Sequence, residues 1–299
     1  MTLTASPPAP VERLTHRRRV DPRSAVFAFV LWLSLAAACV FLFIVLAVIV
    51  SEGWHRFDTD LIANQPSRLR PETAGVQSAI LGTAWVMAGT ILLALPLGVA
   101  AAIYLEEYAD SSRWWNKLVE LNIQNLVAVP AIIYGILTLA FVVRGPVSVG
   151  GVVIAGSVAL ALLILPVIII TTREALRAVP REIRDASLAL GASQWQTTWR
   201  QVLPAAVSGI ATGTILALSR AIGEAAPLIL IGATTFVTFN PEGFLDRYTV
   251  LPVQIYRLVS LPGIEMQQLV WATILLLMII LLVMNGLAIW LRNRFQRRW

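Results

Sequence analysis

Six apolar runs, each long enough to cross a bilayer, decide what this chain can become. They lie at about 25–50, 78–105, 121–143, 150–170, 205–232 and 267–291. A helix needs roughly 20 apolar residues to span the hydrocarbon core. Backbone inside lipid must satisfy its own hydrogen bonds, so such runs fold as helices. Mean hydropathy is +0.76 and 58% of residues are apolar, well above a soluble domain. The expected fold is an all-α polytopic membrane protein with six transmembrane helices. Prolines 96, 130, 166 and 227 fall within the runs, where freed carbonyls need neighbouring helices or a watery path.

Charge orients the spans. Net charge is +6, and Lys117 is the sole lysine. A basic balance could signal nucleic acid, but here the positive residues sit between the runs. Of the 23 Lys and Arg, 16 fall in segments 1–24, 106–120, 171–203 and 292–299. The positive-inside rule then puts these segments, and both termini, in the cytoplasm, and no nucleic-acid partner is expected. The tail 1–24 contains Pro7, Pro8, Pro10 and the basic Arg17, Arg18 and Arg19. The run 25–50 is too long for a signal-peptide core and reads as an uncleaved first span. The remaining spans form one membrane domain at 75–291, closed by the basic tail 292–299. Cys39 has no second cysteine to pair with, and His16 and His55 have no metal-ligand neighbours at useful spacing.

The loop 171–203 has its own pattern. Ile183, Ala186, Ser187 and Leu190 recur at helical spacing and mark one face of a short helix. Arg181, Glu182, Arg184 and Asp185 lie largely off it. Gly191 suits a left-handed C-terminal cap. Ser193 and Gln196 have capping-box spacing, and Pro204 suits the first turn of the next span. These signals predict two short surface helices joined by a glycine elbow.

The fifth run carries Arg220 and Glu224 four residues apart, which on one continuous helix places both on one face. Arg220 follows Pro204 by about 24 Å at 1.5 Å per residue, too far to snorkel back to the cytoplasmic side. A lone arginine at the bilayer centre costs at least about 2.5–3.5 kcal/mol, so the pair is expected to face protein or water. A self-neutralising salt bridge is the plain alternative. The functional one is an anion gate, because the guanidinium fork matches phosphate geometry and Glu224 could hold Arg220 until the anion arrives. An arginine of a second subunit is another possible partner for Glu224.

Asp185-Ala186-Ser187, then Gly191, then Leu203-Pro204 resembles the EAA loop of ABC importer permeases. Asp185 stands for Glu, Ser187 for Ala, and Gln201 occupies an Ile position. Ser219–Pro227 (SRAIGEAAP), Leu251–Tyr256 (LPVQIY) and Gln267–Trp271 (QQLVW) are similar to phosphate permeases of that family. The resemblance implies a type I ABC importer permease fold. It implies a second phosphate permease subunit, two copies of an ATP-binding subunit, and an external phosphate-binding protein as partners. It also implies that Asp185, Ala186, Ser187, Leu190, Gly191, Leu203 and Pro204 dock the ATPase. The chain has no G-x-x-x-x-G-K-[ST] segment, so the nucleotide cradle is missing. No enzymatic activity is expected here; ATP and Mg belong to the ATPase. A permease for another oxyanion or polar solute, or a stand-alone secondary transporter, stays open at this point.

Overall fold

The computed structural model describes residues 22–110, 112–233 and 237–295. The proline-rich and arginine-rich parts of the N-terminal tail, His16, and Arg297 and Arg298 lie outside the described residues. The chain divides after Val48 into two units. The first contains most of α1 (Pro22–Trp54), a helix of 33 residues. Phe27, Trp32 and Phe41 are exposed along it, as suits an all-round apolar helix in lipid.

The second unit opens with α2 (Thr59–Ala63), capped by the Asp58 carboxylate, which accepts from Leu61 N–H at 2.9 Å. A 3₁₀ turn (Pro71–Thr73) leads to α3 (Gln77–Ile103) and a π turn (Tyr104–Tyr108). Then come α4 (Trp114–Val127), α5 (Ala131–Thr138) and a second π turn (Leu139–Val143). The sequel is α6 (Val153–Arg177), α7 (Arg181–Ala189) and α8 (Gln194–Thr197). A third π turn (Thr198–Val202) joins α8 to α9 (Leu203–Ile222), followed by α10 (Ala226–Leu230), α11 (Leu251–Leu258) and α12 (Ile264–Phe295). Apart from one antiparallel bridge between Val152 and Arg247, regular structure among the described residues is helical.

The core is built on α6. Its Val153, Ala155, Ala159, Ile164 and Leu176 are fully buried, and both α3 and α9 pack against it. Glycines let backbones approach, as is common where membrane helices meet. A Cβ on Gly213 would lie 2.5 Å from Thr171, so α9 sits directly against α6. The Ser219 hydroxyl donates to the Asn285 side-chain amide oxygen at 3.0 Å and ties α9 to α12.

Five helices are long and apolar enough to cross a membrane, or six if a bent pair counts as one span. That pair corrects the third expected span. α4 and α5 meet at 104° across Pro130 instead of forming one rod over 121–143. Proline has no N–H to give and biases the preceding residue out of the helical region. The Leu126 carbonyl accepts from Val129 N–H at 3.2 Å and from the Tyr134 hydroxyl at 2.7 Å, so a side chain of α5 ties back across the break.

The fifth span also differs from the expected 205–232. It begins at Gln194 and runs to Ile222, so Pro204 does not open it. Pro204 cannot donate to the carbonyl one turn back, and the π turn just before it, with Leu203 N–H on Thr198 O, carries the helix through. The helix stops at Gly223 and resumes only at Ala226. Of the four prolines within apolar runs, Pro96 and Pro166 sit inside helices, while Pro130 and Pro227 stand at helix starts.

Candidate functional site

At one end of the second unit, α7 and α8 form the predicted pair of short helices. Gly191 adopts φ +84°, a backbone region costly for residues with a Cβ. The Ser193 hydroxyl accepts from Gln196 N–H, and the Gln196 side chain accepts from Ser193 N–H at 2.9 Å. The Ser187 and Thr197 hydroxyls meet at 2.9 Å and join the two helices. Asp185, Ala186, Leu190 and Gly191 are exposed, whereas Ser187 and Leu203 are half-buried. Of the stripe Ile183, Ala186, Ser187 and Leu190, Ile183 packs against the buried cluster of Ile103, Leu176, Val179 and Val202, while Ala186 and Leu190 stay exposed. The stripe lines an open hollow of about 510 Å³ together with Gln196 and Arg200. Leu203 and Pro204 lie at the head of α9, outside the residues that line this hollow, and Leu203 packs against the same buried cluster as Ile183.

Sequence reasoning left Arg184 off the working face, and the structure turns it inward. Its guanidinium donates to the carbonyls of Val179 (2.7 Å) and Leu176 (2.8 Å), and to the Glu107 carboxylate at 2.8 Å. Only 8% of the Glu107 side chain is exposed. α7 is thereby pinned both to the last turn of α6 and to the segment that ends α3. Gln194, at the start of α8, donates to the Glu107 backbone carbonyl. Beside this pin, Glu106 pairs with Arg173 at 3.2 Å and Arg177 at 2.9 Å, and Arg173 reaches Glu120 of α4 at 3.0 Å. A charged cleft of about 560 Å³ runs between Glu106, Glu107, Arg181 and Asp185. No local pattern could reveal the Arg184 contact, because its partner lies 77 residues away.

The second locus is the break in the fifth span. Arg220 is in the last turn of α9, and Glu224 lies beyond its end. The shared helical face predicted for them requires an unbroken helix, and the helix stops at Gly223. Gly223 N–H and Glu224 N–H turn back onto the carbonyls of Arg220 (3.2 Å) and Ala221 (3.1 Å), which closes the last turn. Arg220 is exposed and Glu224 half-buried. Among the described residues neither forms an ion pair or a side-chain hydrogen bond. Leu216, one turn before Arg220 on the same face, is also exposed, while Ala217 and Ala221 are buried. The two broken spans lie side by side. α10 packs on α5, where a Cβ on Gly135 would come within 2.7 Å of Pro227 Cα.

A platform at the end of a bundle and a charged break inside it suit a membrane component moved by another protein. Among the described residues no group of three or more metal-ligating side chains exists. Residues 94–298 match the family described as "binding-protein-dependent transport system inner membrane component". The phosphate transport system permease protein PstA of Yersinia pestis is 36% identical over 73% of this chain and 73% of its own length. PstA 1 of Mycobacterium tuberculosis (strain CDC 1551 / Oshkosh) is 32% identical over 95% of this chain and 93% of that protein. A bacterial alginate ABC transporter solved with its pentasaccharide-bound periplasmic protein is similar in fold. It has a TM-score of 0.67 at 16% identity, over 92% of this chain and 96% of that one. The fold is that of type I ABC importer permeases, and the chain belongs to the family of binding-protein-dependent transport system inner membrane components.

Proposed function

We infer that this chain is a permease subunit of an ATP-driven ABC importer that moves inorganic phosphate into a bacterial cell. One observation carries the substrate: relatives named as phosphate permeases match at 32–36% identity, one of them along 95% of the chain. The partners are a companion permease of the PstC type, two ATPase subunits of the PstB type and an external phosphate-binding protein of the PstS type. Membrane lipid surrounds the spans. The segment bearing α7 and α8 faces the cytoplasm, with both termini on the same side.

Asp185, Ala186, Ser187, Leu190 and Gly191 form the docking platform for the ATPase, and Leu203 and Pro204 set the head of α9. ATP and Mg act in that partner. Closure of the ATPases shifts α7. Arg184 passes the shift to α3 through Glu107 and to α6 through two carbonyls, while α9 continues from the same platform to Arg220. The exposed guanidinium of Arg220 cannot stay bare in lipid. It lines a water-filled path shared with the companion permease and offers phosphate a two-pronged donor. Glu224 is half-buried and forms no ion pair among the described residues, which favours an arginine of the companion permease as its partner.

A strain lacking its own phosphate importer tests the assignment. Expression of this chain with its three partners restores growth on micromolar phosphate, and omission of this chain alone abolishes the rescue. Growth without it would refute the assignment.

A further inference from the structure

α4, the first half of the broken third span, is sparsely anchored. Of its 14 residues only Asn116 and Ile123 are buried, and Trp114, Leu118, Leu121 and Leu126 are exposed. Ile123 packs with Ala102 of α3 and Ile169 of α6. The Asn116 side chain donates to the Asp110 carbonyl at 2.8 Å, within the loop that leads into α4. A further tie is ionic. Arg173 lies on α6 with 13% of its side chain exposed. Its Nε–H donates to the carboxylate of Glu106, in the π turn that ends α3, at 3.2 Å. Its Nη1 lies 3.0 Å from the Glu120 carboxylate of α4. One guanidinium thus holds two elements through two different nitrogens.

A guanidinium is planar, and its donors point in fixed directions. A carboxylate on each of two elements therefore fixes the angle between them as well as their separation. Ion pairs of low exposure are often no more stable than apolar packing of the same volume, so fixed geometry is what this one adds. The geometry matters at the far end of α4. There the Leu126 carbonyl accepts from the Tyr134 hydroxyl across the break at Pro130, and the Arg220 charge acts on that same hydroxyl. A displacement of α4 reaches the surroundings of Arg220 through this one hydrogen bond.

We propose that Arg173 is a positioning residue for phosphate transport. It makes α4 move with α6 and the end of α3, and through Leu126 and Tyr134 it sets the break at Pro130 against Arg220. This assignment rests on the importer reading above and adds a second route to it. Arg184 reaches Glu107 and the carbonyls of Leu176 and Val179; Arg173 brings in α4.

The test is a double-mutant cycle on the complete importer in proteoliposomes, read as phosphate taken up per ATP hydrolysed. Loss of folded complex lowers uptake and hydrolysis together and leaves their ratio where it was, so a purely structural role does not move it. Glu120→Gln frees α4 and leaves Arg173 on Glu106; it should lower the ratio about threefold or more, as removal of a coupling residue does. Arg173→Gln should lower it at least as far. The double variant should match Arg173→Gln within about twofold, because both changes cut one contact. Arg177 pairs with Glu106 and forms no ion pair with α4. Arg177→Gln should therefore stay within about twofold of wild type, in keeping with the small worth of an exposed pair. A wild-type ratio in Glu120→Gln would overturn the proposal. So would losses that multiply in the double variant, or an equal loss in Arg177→Gln, which would assign the effect to overall charge. Absence of ATP-driven phosphate uptake by the wild-type complex would instead bring down the importer reading.

Discussion

At Gly191 the backbone sits at φ +84°, yet a Cβ added there would meet nothing within 4 Å. The demand for glycine is therefore conformational and not steric. Asparagine tolerates this region and a β-branched residue does not. Gly191→Asn should retain most transport, while Gly191→Val should reduce uptake severalfold at unchanged membrane abundance. Quantitative blotting with phosphate uptake measures both; equal loss in the two variants would place the requirement on side-chain bulk instead. Arg184 poses the complementary case, a charge whose partners are all internal. Removing one partner of a buried pair typically costs about 3–5 kcal/mol, and the Arg184 side chain is 19% exposed, so the low end applies. Arg184→Ala should leave ATP hydrolysis running while phosphate moved per ATP falls about tenfold. Glu107→Gln should fall less, because the two carbonyl contacts of Arg184 survive. A Glu107→Gln variant with a wild-type ratio of phosphate to ATP would remove Glu107 from the transmission path.

Elements show where sequence and structure part company. The turn from α7 into α8 was legible because its signals are local: a glycine at the elbow, and a serine with a glutamine three residues on. The breaks after Val127 and Ile222 were not. Apolar residues continue on both sides of each, and hydropathy reads a broken span and a straight one alike. Pro130 was visible, but proline is also tolerated inside membrane helices, as Pro96 and Pro166 show. Gly223 gave no stronger sign than the glycines that continue a helix. The shared helical face expected for Arg220 and Glu224 ends with the helix at Gly223. Packing between elements was equally hidden. Gly213 reads as an ordinary helical glycine until α6 is laid against it. There Thr171 is held by hydrogen bonds to the carbonyls of Val167 (3.0 Å) and Ile168 (3.3 Å). Gly213→Ala gains about 1 kcal/mol of helix propensity. It also forces a 2.5 Å contact with Thr171, and overpacking of this kind costs about 1–3 kcal/mol. Because Thr171 is fixed, the clash should win and the thermal midpoint of the purified protein should drop by a few degrees. Adding Thr171→Ala should recover it; no recovery would mean that α9 meets α6 elsewhere.

For the whole molecule, the proposed arrangement sets a motor platform at one end and an anion path through the broken spans. Its orientation follows from charge and can be probed in a Cys39→Ser background. An impermeant thiol reagent added to intact cells should label Leu69→Cys and leave Ser187→Cys untouched until the membrane is opened. Labelling of Ser187→Cys in intact cells would invert the arrangement. In the proposed arrangement transport turns on Arg220, which among the described residues forms no ion pair or side-chain hydrogen bond. The deciding measurement is ATP-driven uptake of radiolabelled phosphate by proteoliposomes holding the complete importer, wild type against Arg220→Gln at matched protein. Loss of uptake with ATP hydrolysis still responding to the binding protein is the predicted result. Wild-type uptake by Arg220→Gln would show that the guanidinium is no part of the phosphate path.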